Sequence, residues 1–184
     1  MPGEVSALCS NATLYRAVSG ALHNGGVRTT ENARVQVLID YPVGWALQRV
    51  EGARALDCVV ATDNPCPEYR LVLLDHAVRQ ILPLHPFNEL AQRLVYADEN
   101  RQQGSPSPMS ALTPTERAVL HYAALGMRNR EIGAVRGVSV GTVKNVLSRV
   151  YLKLGISGRV DASNYYFGRW HLVRSAPDAT MESA

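Results

Sequence analysis

Three times between Thr113 and Gly155 the sequence writes a helix start, a short apolar-periodic run and a stop, which narrows the folds open to this segment. Thr113-Pro114-Thr115-Glu116 combines a capping hydroxyl, a proline at the first helical position and a glutamate three residues after the cap. A helix from there runs to Leu125, and Gly126 supplies a residue able to adopt positive φ. Asn129 can cap a second, short helix holding Glu131, Ile132, Ala134 and Val135, which Gly137 ends. Ser139 can cap a third, in which Val143, Leu147, Val150 and Leu154 recur at helical spacing and draw one apolar stripe. Its other faces carry Lys144, Asn145, Ser148, Arg149 and Lys153, cations suited to phosphates beside side chains that hydrogen-bond base edges. Two helices joined by a tight turn, the second polar and basic outside, describe a DNA-reading helix-turn-helix.

The charge pattern agrees. Residues 110–184 carry ten Lys+Arg against five Asp+Glu, whereas residues 1–109 carry nine against eleven. A positive segment beside a slightly acidic one suits a polyanion-binding module joined to something else. The junction is Asn100-Arg101-Gln102-Gln103-Gly104-Ser105-Pro106-Ser107-Pro108, polar and broken by Gly and Pro. The expected organisation is therefore a regulatory or dimerisation domain over 1–98, a linker over 99–111, a DNA-binding domain over 112–172 and a flexible tail over 173–184.

The run Leu112-Thr113-Pro114-Thr115-Glu116-Arg117, with Asn129-Arg130-Glu131-Ile132, Thr142-Val143-Lys144-Asn145 and Lys153-Leu154-Gly155-Ile156, resembles the LuxR/NarL-type DNA-binding domain. The resemblance implies a four-helix domain whose third helix enters the major groove. Its fourth helix, here about Gly158 to Leu172, commonly helps pair two protomers. It also implies that Lys144, Asn145 and Ser148 approach base edges, that Thr142, Arg149 and Lys153 grip phosphates, and that Glu116 and Val143 are structural. Three positions depart from the family pattern. Val146 stands where His is usual, and Arg136 where a buried Leu is usual, so that a slight rotation would bury Val135 instead. Gly133 replaces Ala, at a cost of about 1 kcal/mol of helix propensity.

The first half alternates strand-like runs (Val5–Cys9, Val35–Ile39, Asp57–Ala61 and Arg79–Leu82) with helix-like stretches near 12–23, 43–51, 66–76 and 86–97. Alternation predicts an α/β domain with a parallel sheet. A short strand near Val27–Thr30 makes five, and the few residues before Val35 leave no room for a crossover helix, so one helix is missing.

This order resembles a response-regulator receiver domain, with Leu82-Pro83-Leu84-His85-Pro86-Phe87 similar to that family's Lys-Pro-Phe segment. The resemblance puts Asp40 at the phospho-acceptor position and Thr62 at the switch hydroxyl. Cys9-Ser10-Asn11 stands where the family has acidic Mg²⁺ ligands, and neutral side chains cannot replace them. No lysine precedes residue 144. A degenerate, pseudo-receiver domain is predicted, with Asp40 capping a turn and His85 a surface or interface residue. Thr62–Tyr69 reads either as an ordinary βα turn or as a rigid loop at the carboxyl end of a strand, where α/β folds tend to bind ligands.

The expected whole is a dimeric, cytoplasmic, nucleoid-associated transcriptional regulator of double-stranded DNA, controlled without phosphorylation. A small-molecule or protein ligand of the first domain, and RNA polymerase, are the further partners open to it. No apolar run approaches the roughly 18 residues that cross a bilayer, so no membrane partner is expected. Three cysteines, Cys9, Cys58 and Cys66, without a CxxC pair suggest buried thiols. No metal, cofactor or catalytic residue is expected, since Asp57 with His76 and Asp40 with His85 lack any surrounding motif. Ser139-Val140-Gly141-Thr142-Val143-Lys144 also resembles the promoter-reading helix of extracytoplasmic-function sigma factors, a reading that demands an all-helical first half.

Overall fold

The computed structural model describes residues 3–50, 57–76, 78–100 and 108–169. The chain divides into two compact units, Met1–Met109 and Ser110–Ala184.

In the first unit β1 (Glu4–Cys9), α1 (Ala12–Asn24), β2 (Arg28–Thr29), β3 (Val35–Ile39), α2 (Trp45–Val50), β4 (Asp57–Ala61), α3 (Pro67–Asp75), β5 (Gln80–Leu82) and α4 (Phe87–Glu99) follow one another. The five strands form one sheet in the order β2-β1-β3-β4-β5, and every pairing is parallel. Right-handed crossovers then place α1 on one face and α2 and α3 on the other. α4 packs beside α1, and their Val18, Leu22, Leu90, Ala91 and Leu94 meet Val5, Val37, Ile39 and Val59 of the sheet in one core. The opposite pleat, Leu38, Cys58 and Val60, is buried as well. Burial on both faces explains why β3 and β4 read as continuous apolar runs rather than alternating ones.

The missing helix is observed: Thr30–Arg34 alone connects β2 to β3. Crossing β1 spans two strand spacings, about 10 Å, which five residues cover without a helix. Leu8, on the pleat opposite the α1 core, is left 39% exposed. This five-stranded sheet is not the all-helical first half that the sigma-factor reading demands.

The second unit contains α5 (Pro114–Ala124), α6 (Asn129–Arg136), α7 (Val140–Leu154) and α8 (Arg159–Tyr166). α8 ends well before Leu172, because Gly168 adopts a positive φ of 71° two residues after it. Trp170 onward, including the predicted tail, lies outside the described residues, as do 101–107 of the predicted linker. Among the described residues no helix is long and apolar enough to cross a membrane.

Two details differ from the sequence reading of α6. Neither Val135, 56% exposed, nor Arg136 is buried; Ile132 and Gly133 fill the inner face. Gly133 sits where an added Cβ would lie 2.7 Å from the Val138 carbonyl oxygen, so the turn into α7 passes too close for a side chain. In this chain the glycine is a packing requirement as well as a propensity cost.

Gly25, the C-cap of α1, has an ordinary φ of −86°, but a Cβ there would lie 2.3 Å from Ala91 Cβ on α4. Gly25→Ala is therefore expected to destabilise the first unit by about 1–3 kcal/mol through overpacking. Urea denaturation measures this, and adding Ala91→Gly should restore most of the loss; an unchanged midpoint would contradict the close crossing.

Candidate nucleic-acid interface

α5 and α7 begin where the sequence placed their start signals. Thr113 Oγ1 accepts from the Glu116 N–H at 3.3 Å, and Glu116 Oε2 accepts in return from the Thr113 N–H at 2.8 Å, a complete capping box. Gly126, Gly137 and Gly155 all take positive φ at the helix stops. Ser139 caps α7 by accepting from the Thr142 N–H at 3.0 Å. Asn129 departs from expectation. It is the first residue of α6 rather than its cap, because its Oδ1 accepts from Arg159 Nη2 at 2.6 Å. The vacant capping role falls to Glu131, which accepts from the Arg128 N–H at 2.6 Å.

α7 buries Val143, Val146, Leu147 and Val150. Val146, noted above as a departure, thus widens the apolar stripe. Lys144, Asn145, Ser148 and Arg149 are all exposed on the rest of the helix surface. Fifteen residues make a rod about 22 Å long, and the major groove, about 12 Å wide, admits one helix. Thr142 is exposed, and its hydroxyl lies 2.9 Å from that of Ser139, at the start of the helix. Arg128, Arg130 and Arg136 are further exposed cations of this unit, on and before α6, which the sequence reading had not placed in the site. Leu152, 84% exposed on α7, is an apolar member of the outer surface.

Lys153 sits differently from the other predicted contacts. Its Nζ donates to Glu116 Oε2 at 2.8 Å, tying the end of α7 to the start of α5. Glu116 is 5% exposed. Hydrogen bonds from Lys153 and from the Thr113 backbone hold its carboxyl at about 2, below the ordinary 4.5, against the opposing effect of burial. Across the unit, His121 Nδ1 and the Tyr166 hydroxyl, both buried, lie 2.9 Å apart and join α5 to α8.

In the first unit Asp40 is 2% exposed, and its carboxylate is fully engaged. Oδ1 accepts from the Gly44 and Ala46 N–H groups, each at 3.0 Å, so Asp40 does cap the turn that leads into α2. Oδ2 accepts from the Thr62 hydroxyl at 2.9 Å and the Tyr69 hydroxyl at 2.7 Å. Tyr69 was not singled out by the sequence; a tyrosine on the first turn of α3 gives no local sign of reaching β3. Ser10 and Asn11, which follow β1, are engaged too: the Ser10 hydroxyl donates to the Tyr41 carbonyl, and Asn11 caps α1. The predicted loop is shorter than expected: Thr62–Cys66 makes the βα connection, in which Asn64 Oδ1 accepts from the Cys66 N–H at 2.9 Å, and Pro67–Tyr69 already form the first turn of α3. Burial pushes the Cys58 thiol up to about 11 and raises that of Cys66 further. His85 is exposed and pairs through Nδ1 with Asp63. Partial burial raises the Asp63 carboxyl, but the hydrogen bonds and charge of His85 outweigh it and leave Asp63 below its ordinary value.

Residues 110–166 match the family described as bacterial regulatory proteins, luxR family. The second unit is a luxR-family domain. Two curated relatives share sequence with this chain. The probable HTH-type transcriptional regulator GfsR of Streptomyces halstedii is 38% identical over 65 residues, 35% of this chain and 27% of that protein. The transcriptional activator protein EsaR of Pantoea stewartii subsp. stewartii is 32% identical over 101 residues, 54% of this chain and 40% of that protein. The chain thus matches less than half the length of either relative. Across both units it is similar in fold to RcsB from Salmonella enterica serovar Typhimurium bound to promoter rprA in the presence of phosphomimetic BeF3⁻. That likeness covers 89% of this chain and 98% of that one, with a TM-score of 0.56 and 18% identity. The first unit accordingly has a receiver-like fold.

The Glu116 geometry sets a pH dependence. A carboxyl whose folded value lies below its unfolded one stabilises fully above about 4.5 and loses that contribution as pH falls towards 2. Hydrogen exchange of the α5 and α7 amides should show the second unit loosening across this interval, and Glu116→Gln should both loosen it at neutral pH and flatten the interval. An identical acid profile in the two proteins would contradict this role.

Proposed function

We propose that this luxR-type chain is a sequence-specific, double-stranded-DNA-binding transcriptional regulator that acts as a homodimer and is controlled without aspartyl phosphorylation. The observation carrying the reading is the outer surface of α7, where Lys144, Asn145, Ser148 and Arg149 stand exposed on a helix capped at both ends and packed along its other side. Lys144, Asn145 and Ser148 reach base edges in the major groove, and Arg149, with Thr142 at the helix start, contacts phosphate. Lys153 is withdrawn from the phosphate set, since its ammonium is committed to Glu116. The names of the GfsR and EsaR relatives support transcriptional control, and the promoter bound to RcsB supports the same for the fold. Two copies read half-sites about one helical turn apart, which compensates for the weak binding of a single module.

Freedom from phosphorylation rests on Asp40. Four donors already satisfy its two oxygens, and no lysine in the first unit is present to meet a phosphoryl group. Phosphoryl transfer depends on cations placed around the moving group. Control then passes to a small-molecule or protein ligand of the receiver-like unit, in the cytoplasm, where nucleoid DNA and RNA polymerase are available.

The test is selection of binding duplexes from a random-sequence pool, followed by titration of Lys144→Ala on the selected duplex. A loss of about 1–3 kcal/mol is expected for a base-contacting cation. Unchanged affinity would remove Lys144 from the interface, and failure to enrich any sequence would remove the function itself.

A further inference from the structure

Arg159 is the first residue of α8, and its guanidinium binds acceptors in three places. Nη1 donates to the Ala123 carbonyl at 3.1 Å and to the Met127 carbonyl at 2.6 Å, and Nη2 donates to Asn129 Oδ1 at 2.6 Å. Ala123 lies in the last turn of α5, and its carbonyl also accepts from the Gly126 N–H at 3.1 Å. Met127 lies in the turn that follows, and Asn129 opens α6. One planar cation therefore fixes the end of one helix, the turn and the start of the next, which a fork of rigid donors can do and a point charge cannot. The same contact takes the Asn129 side chain away from capping.

α6 is in turn packed on α7, with Ile132 fully buried and Gly133 against the Val138 carbonyl. Movement of the α6 start therefore reaches the recognition helix through a close-packed joint. We propose that Arg159 is a positioning residue for DNA reading: from α8 it fixes the α5–α6 turn and the first turn of α6, and so the placement of α7, without itself touching DNA. This rests on the DNA-binding reading above. Arg159 differs from Arg128, Arg130, Lys144 and Arg149, which are exposed, in being half-buried with three of its donor directions already satisfied.

The test compares Arg159→Lys, Arg159→Gln and Asn129→Ala with the wild-type chain on two duplexes, one selected by the wild type from a random pool and one with that sequence scrambled. The Arg159 variants should bind the selected duplex about tenfold more weakly, as expected for losing a charge-assisted hydrogen bond. Arg159→Lys, which keeps the charge, should leave scrambled-duplex affinity and the slope of log K against log salt unchanged. Asn129→Ala should show a smaller loss of the same kind. A slope shallower by about one unit in Arg159→Gln, with rescue by Arg159→Lys, would make Arg159 a phosphate contact and overturn the proposal. So would unchanged affinity in folded variants. If neither Arg159 variant folds, Asn129→Ala decides: a loss confined to the selected duplex supports positioning, and none refutes it. A wild type that enriches no sequence would fault the DNA-binding reading instead.

Discussion

Glu116 holds the second unit together from a position that makes no use of DNA. Its carboxylate accepts from the Thr113 N–H and hydroxyl and from Lys153 Nζ, so one group both starts α5 and holds the far end of α7. A carboxylate this shielded would be costly unpaired, and the ammonium and cap donors compensate it. α7 is thereby fixed at one end by Glu116, at the other by the Ser139 cap, and along its length by the apolar stripe. Its outward polar side chains need contribute nothing to folding, and this leaves them available for contacts.

The receiver-like unit solves the opposite problem, a carboxylate buried with no cation among its hydrogen-bond donors. Asp40 takes two backbone N–H groups and two hydroxyls, enough to fill the acceptor capacity of a carboxylate. The same bonds join the end of β3, the turn into α2, the end of β4 and α3. Ser10 and Asn11, at the neighbouring loop, are spent on a carbonyl and a helix cap. Around Asp40 and the β1–α1 loop the polar side chains are thus bonded to other groups of the same unit.

Much of this was legible beforehand for identifiable reasons. Caps and glycine stops act within four residues, so Thr113, Glu116, Ser139, Gly137 and Gly155 announced their helices, and the five residues between β2 and β3 ruled out a crossover helix by reach alone. What escaped depends on partners distant in sequence. Lys153 looked like any exposed helix cation until Glu116, 37 residues away, appeared beside it. Asn129 had the chemistry of a cap, but Arg159, 30 residues later, claims its oxygen. Tyr69 reaches Asp40 across 29 residues, and Gly133 answers a backbone approach that no propensity scale registers.

The most direct test of the central claim is a footprint of the full chain on its selected duplex, with and without beryllofluoride and Mg²⁺. A two-fold-symmetric footprint at the same protein concentration in both conditions is the predicted result, because Asp40 has no free oxygen to offer the phosphoryl mimic. A footprint that strengthens with beryllofluoride would mean that Asp40 leaves its hydrogen bonds to accept a phosphoryl group, and would contradict the account of the receiver-like unit.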